Sequence, residues 1–285
     1  AKAYKTLLRE LSGLSMEEKQ DYVQELYRRI NGIYTIDEIF RLENNSGISD
    51  YSRALRQENA EIFKEFQAVY EQGAYLKYTD NLWAEYNFLF KIKSELDAVA
   101  DYSGYISGIL DKADNLSQIS IFKTETGDSF SEKSIQAQAR TYSQLKNIST
   151  DYLPEAGVMS ALEFRLSDIL VIIFVLLASS VLLREEKDNG MLALAFTTPR
   201  GRGRTAAAKL AAVLLSLLAC VCALYVMNLC YYEKLYGLGD LSRPIQSLPS
   251  LLSCPWELSL GKYLLIFMAA KWMGGIVVAV WLVLC

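Results

Sequence analysis

The sequence predicts an all-α polytopic membrane protein carrying a long-helix extracytoplasmic domain. Three observations predict it: charge is divided unevenly along the chain, three segments are apolar enough to span a bilayer, and strand-like alternation is scarce. Of the 285 residues, 52% are apolar and 22% charged. Residues 1–165 hold 19 Lys/Arg against 26 Asp/Glu, a net of −7, whereas residues 166–285 hold 10 against 7, a net of +3. The first part reads as an acidic domain long enough to bury its own core, the second as membrane. The expected division is a helical domain over 1–163 and a transmembrane domain over 164–285.

Within the acidic part the periodicity is helical nearly throughout. Ser15-Met-Glu-Glu18 is a capping box, in which hydroxyl and carboxylate each satisfy a backbone N–H of the first turn. Tyr22, Val23, Leu26, Tyr27 and Ile30 then line one face. Leu55, Ile62, Phe66 and Val69 mark a further helix after a polar loop near Asn44–Gly47. Leu89, Ile92, Leu96, Val99, Ile106, Leu110 and Ala113 keep a three–four alternation broken once at Ser103, a coiled-coil-like seam that predicts long helices packed antiparallel. Gly104 and Gly108 weaken its far end. Ser120–Lys133 reads as a loop, and a last helix is expected from about Glu132 to Asn147. Tyr70, Tyr75, Tyr78, Tyr86, Tyr102 and Tyr105 suggest either a carbohydrate- or peptide-binding face or half-buried core tyrosines, and the usual burial of Tyr favours the core.

The membrane part holds three candidate spans, about 165–184, 206–230 and 262–285. Ile169–Leu183 carries no charge and reaches the length of a span with its flanks, Asp168 lying at the water boundary. Lys209 sits near the start of the second span and Lys271 inside the third. Lys271 is costly if it faces lipid. It is therefore a candidate for a transport path or the protein interior near Gly274-Gly275, with snorkelling to the surface as the alternative. The chain opens at Ala1 without Met or a signal-peptide pattern and is still apolar at Cys285. The expectation is a piece of a longer protein, truncated at both ends, with a membrane helix or signal before Ala1 and further helices after Cys285.

Six basic residues (Arg184, Lys187, Arg200, Arg202, Arg204, Lys209) lie in 184–209 and three in 231–262. The positive-inside bias places 184–209 in the cytoplasm, and 1–163 and 231–262 outside. All five cysteines fall after residue 219, so no disulfide staples the outer domain.

Much chemistry is missing from the chain. It contains no histidine, which removes His-based triads and paired-His zinc signatures. No glycine-rich phosphate loop is present, and Glu17-Glu18 and Glu185-Glu186 are adjacent rather than facing carboxylates. No catalytic residue, metal site or cofactor is expected. The spaced arginines have no interleaved aromatics and are flanked by spans, so anionic lipid rather than nucleic acid is their expected partner.

The strip between the first two spans carries the functional signal. Glu186 is followed four residues later by Gly190, then by Leu192 and Leu194; Pro199 is followed by Arg202 and, seven later, by Lys209. A short helix around Gly190–Phe196 could lie in a groove of a soluble partner. Met191, Leu192, Leu194 and Phe196 would supply apolar contact, and Glu185, Glu186 and Asp188 negative charge near its N-terminus. A tight amphipathic loop on the membrane surface is the alternative.

This order of residues resembles the first cytoplasmic loop of bacterial ABC-2-type exporter permeases. In them a Glu-x-x-x-Gly start, a short apolar helix and a Pro-x-x-Arg…Lys close connect the second and third membrane helices. The large helical domain, with Ser120-Ile-Phe122 and Asp128-Ser-Phe-Ser131 ahead of the span, is similar to permeases of Gram-positive type. Lys271 departs from that pattern. The resemblance implies a non-catalytic, multi-pass subunit of the cell membrane that couples ATP hydrolysis by a separate ABC ATPase subunit to export. A second permease subunit, the same or homologous, would complete the working unit. It assigns coupling to Glu186, Gly190, Met191, Leu192, Leu194, Phe196 and Pro199, and membrane anchoring to Arg200, Arg202, Arg204 and Lys209. The rival expectation is a helical membrane sensor or surface-binding protein that recognises a ligand through 1–163.

Overall fold

The computed structural model describes residues 1–47, 50–118, 130–188 and 201–284; the protein is 80% helical, with no strand among the described residues. It is an all-α polytopic membrane protein whose chain divides into two compact units. Unit 1 comprises Ala1–Glu155 and Gly239–Ser259; unit 2 comprises Ala156–Leu238 and Leu260–Cys285.

Unit 1 is built from α1 (Lys2–Leu11), α2 (Met16–Ser46), α3 (Asp50–Glu58), α4 (Ala60–Gln72), α5 (Leu82–Ala100), α6 (Tyr102–Gln118) and α7 (Phe130–Gln144). The capping box starts α2: Glu18 N–H donates to Ser15 Oγ at 3.3 Å, and Ser15 N–H to Glu18 Oε2 at 2.8 Å. From that start α2 runs for 31 residues and serves two cores. Its first half places Val23 and Ile30 against Leu7 and Leu11 of α1 and Leu89, Ile92, Leu96 and Val99 of α5. Its second half sets Ile33, Ile36 and Ile39 against Phe63 and Phe66 of α4. The two long helices run antiparallel, because Tyr34 stacks on Tyr86 at 4.5 Å while Tyr27 meets Phe90 at 6.1 Å.

A buried carboxylate organises the approach to α5. Glu85, 1% exposed, accepts backbone N–H bonds from Lys77 (3.0 Å), Tyr78 (3.1 Å) and Thr79 (2.7 Å). The predicted seam is divided between two helices that part at Asp101, two residues ahead of the irregularity at Ser103. Gly104 lies so close to the Asp101 carboxylate that a Cβ there would collide with it. Leu89, Ile92, Leu96, Val99 and Ile106 are all buried. The predicted loop over Ser120–Lys133 falls mainly on residues 119–129, outside the described residues, and α7 occupies its last positions.

The sequence predicts a contiguous domain over 1–163, whereas unit 1 closes with a second piece of chain. Residues 239–259 contribute two 3-10 turns, Ile245–Ser247 and Pro249–Leu251. Arg243, 3% exposed, donates to Leu153 O at 3.1 Å, and burial lowers its guanidinium from its ordinary value. Asp151 N–H donates to Ser247 Oγ at 3.0 Å, Ser250 Oγ to Glu155 at 2.7 Å, and Tyr142 OH to Ser253 O at 2.8 Å. Leu252 packs on Tyr102, Ile106 and Leu145. Short turns set by Pro244 and Pro249 leave no period of 2 or 3.6 to read, so this segment looks like a plain connection in the sequence.

Unit 2 holds α8 (Ala156–Leu162), α9 (Arg165–Asp188), α10 (Gly201–Leu235) and α11 (Leu260–Leu284). Three stretches, Ala156–Val181, Leu210–Leu235 and Leu260–Trp281, are long and apolar enough to cross a membrane. Val213, Leu217, Val221 and Tyr225 recur every four residues on α10 and form its buried face against Val171 and Val175 of α9 and Ala279 of α11. Gly275 lets α11 approach closely, since a Cβ there would stand 3.0 Å from a Leu217 methyl. Asn228 Nδ2 donates to Ala161 O at 2.7 Å and so ties the end of α8 to α10.

Candidate functional site

Three polar side chains converge inside unit 2, one from each span. Asp168 lies 12 residues after Ala156, Lys271 lies 11 after Leu260, and Tyr225 lies 10 before Leu235. Lys271 and Tyr225 therefore lie roughly 15–17 Å along their helices from those span ends, and Asp168 meets them from the first turn of α9, just past the break at 163–164. Glu163 and Arg165 flank the junction of α8 and α9 and precede Asp168 by five and three residues.

The geometry is a closed ion pair with a hydroxyl attached. Lys271 Nζ donates to Asp168 Oδ1 at 2.8 Å and to Oδ2 at 2.7 Å, and Tyr225 OH donates to Oδ1. The Phe267 ring centroid lies 5.1 Å from Nζ, within cation–π range. Each partner makes the other affordable: a lone charge at this depth is costly, whereas a hydrogen-bonded pair is net neutral. The side chains are not sealed, with Asp168 37% and Lys271 31% exposed. They border a cavity of about 200 Å³ whose apolar wall includes Val171, Val175 and Val278, with Gly274 beside it.

Lys271 was legible as an intramembrane charge. Asp168 was not, because its position three residues into α9 suggests a water boundary and its partner is 103 residues away. The signal that could have found it is the count from the span end once α8 is added to α9, together with the rule that an intramembrane cation seeks an anion.

The coupling strip is placed only at its edges. Gly190, Met191, Leu192, Leu194, Phe196, Pro199 and Arg200 lie outside the described residues. Glu186 falls on the α9 backbone, and Arg202, Arg204 and Lys209 on that of α10; the positions of these four side chains lie outside the described set. Both helices continue past the apolar sequence, α9 over residues 184–188 and α10 back over residues 205–201.

In unit 1 the tyrosines serve the core. Tyr78 and Tyr22 donate to Glu10 Oε2 at 2.5 and 3.0 Å, Tyr70 to Asp37 at 2.9 Å and Tyr152 to Glu95 at 2.8 Å. Burial, aided by the Asp37 hydrogen bond, pushes the Tyr70 phenol up to about 12. A ladder of Tyr27, Tyr34, Tyr86 and Phe90 runs along the α2–α5 pair, with Phe90 exposed at its end. Among the described residues no group of three or more His, Cys, Asp or Glu could hold a metal ion. The chain matches no family model, no curated protein and no solved structure.

Proposed function

We propose that the chain is the permease subunit of an ABC exporter, coupling ATP hydrolysis on a separate ATPase subunit to substrate movement across the cell membrane. The observation that carries this reading is the ordered strip Glu186…Gly190…Pro199…Arg202…Lys209 between two spans. The continuation of α9 and α10 beyond their apolar lengths supports it. Roughly one and a half turns of each helix, residues 184–188 and 201–205, extend toward the connecting residues, so a push there is passed along hydrogen-bonded helix rather than lost in loop. On this reading the three spans alternate, residues 1–155 and 239–259 share the outer side, and the excess of Lys and Arg supports a cytoplasmic strip.

On this reading Met191, Leu192, Leu194 and Phe196 contact the ATPase, and Arg200, Arg202, Arg204 and Lys209 hold the strip at anionic headgroups. A second permease subunit completes the assembly, and no nucleic acid is involved. Cysteine cross-linking from position 194 in native membranes tests the reading. An ATPase adduct, with no labelling by outside-only reagents, is the expected result; outside labelling without any ATPase adduct would overturn both orientation and assignment.

The second reading is a membrane sensor that recognises a ligand through its helical domain, for which exposed rings such as Phe90 at the end of the aromatic ladder would be the contact. Co-purification separates the two: an ATPase retained by the full chain supports the exporter, and a kinase or adaptor in its place supports the sensor.

A further inference from the structure

We infer that the cavity beside the Asp168–Lys271 pair binds the head of an uncharged amphiphile, a carboxamide on an alkyl body. Three features lead to this class. The first is hydrogen-bonding capacity. Lys271 Nζ carries three N–H groups, of which the Asp168 oxygens take two; no oxygen or nitrogen among the described residues takes the third. The Asp168 carboxylate has about four acceptor positions and receives three bonds, two from Lys271 and one from Tyr225. One donor, shared at most with the Phe267 ring, and one acceptor are therefore left on two residues that both line the cavity. A carboxamide presents the complementary acceptor and donor on neighbouring atoms.

The second feature is net charge. The pair is neutral, and it borders a cavity with an apolar wall among the three spans. A carboxylate head would compete with Asp168 for the ammonium and leave one negative charge in excess. An ammonium head would do the reverse. In a low-dielectric setting either excess is costly, so the site selects against charged heads and for a neutral one.

The third is shape. Val171, Val175 and Val278 make the wall apolar, and the cavity of about 200 Å³ accepts a small head with a few methylenes. Gly274 borders open space beside it: a Cβ added there meets nothing within 4 Å. As a site for an exported substrate the assignment rests on the exporter reading above; as a binding site it does not.

The test uses the full chain in phosphatidylcholine nanodiscs and three photoactivatable alkyl diazirines of equal length, ending in a carboxamide, a carboxylate or an ammonium. Labelled peptides are identified by mass spectrometry. The carboxamide is expected to label the segments around Val171 and Gly274–Val278 about tenfold more than either charged probe. Unlabelled carboxamide of the same length should displace it. Gly274→Leu, which fills the cavity and leaves Asp168 and Lys271 in place, should reduce labelling to background. If that variant does not insert, Val278→Phe fills the same space from the next turn. Replacing both charges, with Asp168→Leu and Lys271→Leu, should make the three probes label alike. Equal labelling by all three heads in the native chain, or carboxamide labelling that survives the filled cavity, would overturn the assignment. No ATPase is present, so this result stands or falls separately from the cross-linking at position 194.

Discussion

Lys271 of α11 donates to both carboxylate oxygens of Asp168 on α9, at 2.8 and 2.7 Å. Lys271→Met leaves the Asp168 carboxylate with only the Tyr225 hydroxyl, and Asp168→Leu leaves the Lys271 ammonium with only the Phe267 ring, so each single replacement leaves a charge without its counter-charge. Lys271→Met or Asp168→Leu should therefore each cost about 3 kcal/mol, while the double replacement costs about 1 kcal/mol or less. Denaturation of the full chain in mixed micelles, arranged as a double-mutant cycle, measures the coupling. Additive losses would mean that the pair contributes little inside the bundle.

Glu85 binds the loop that precedes its own helix. Glu85→Ala strands the backbone N–H groups of Lys77, Tyr78 and Thr79 in a buried site, and the expected cost is about 3 kcal/mol. Glu85→Gln should recover part of it, since one oxygen still accepts while the amide NH2 opposes the remaining donors. Urea unfolding followed by circular dichroism would read both variants. A loss below about 0.5 kcal/mol for the alanine variant would show that water replaces the carboxylate freely.

Glu10 sets an acid limit on unit 1. Burial pushes its carboxyl up, but the hydrogen bonds from Lys77, Tyr78 and Tyr22 outweigh burial and hold it below the ordinary value. A carboxyl depressed by folding contributes stability that is complete above its unfolded value, about 4.3, and is lost as pH falls through the lower folded value. Melting temperature should therefore drop below about pH 4, and Glu10→Gln should flatten that limb while lowering stability near neutrality. Glu95 works in the opposite sense, because burial raises its carboxyl despite donation from Tyr152. An unchanged acid limb in the Glu10 variant would assign it to other groups.

Residues 1–155 should be helical when produced alone, but not fully stable. Without residues 239–259 they lose the Arg243, Ser247 and Ser250 hydrogen bonds and the cover that Leu252 gives to Leu145 and Ile148. Joining 239–259 to them through a flexible linker should raise the melting temperature by about 5 °C or more. Equal melting of the two proteins would make the segment a passenger.

What could be read in advance followed from periodicity. The capping box at Ser15, the buried face from Leu89 to Ile106 and the three spans are all local patterns, and each occurs in the structure as helix. The Asp168–Lys271–Tyr225 cluster is not local: its members are 57 and 103 residues apart, and no periodicity links them. The same holds for Arg243, an apparently solvated loop arginine that packs into a core 90 residues away. The break at Asp101 left a trace, the interruption of the apolar spacing at Ser103, while the close approach of Gly104 to the Asp101 side chain is visible only in the structure.

The divided origin of unit 1 has a consequence for how the molecule is made. Its closing contacts, Asp151 with Ser247 and Tyr142 with Ser253, join positions 96 and 111 residues apart, and the later partner is synthesised only after α10. The first 155 residues must wait with the surface around Leu145 open until that helix has been threaded, an interval in which proteases and chaperones can engage them. Correct insertion and domain completion thus become a single event. Until residues 239–259 follow α10 out of synthesis, unit 1 lacks the piece of chain that closes it.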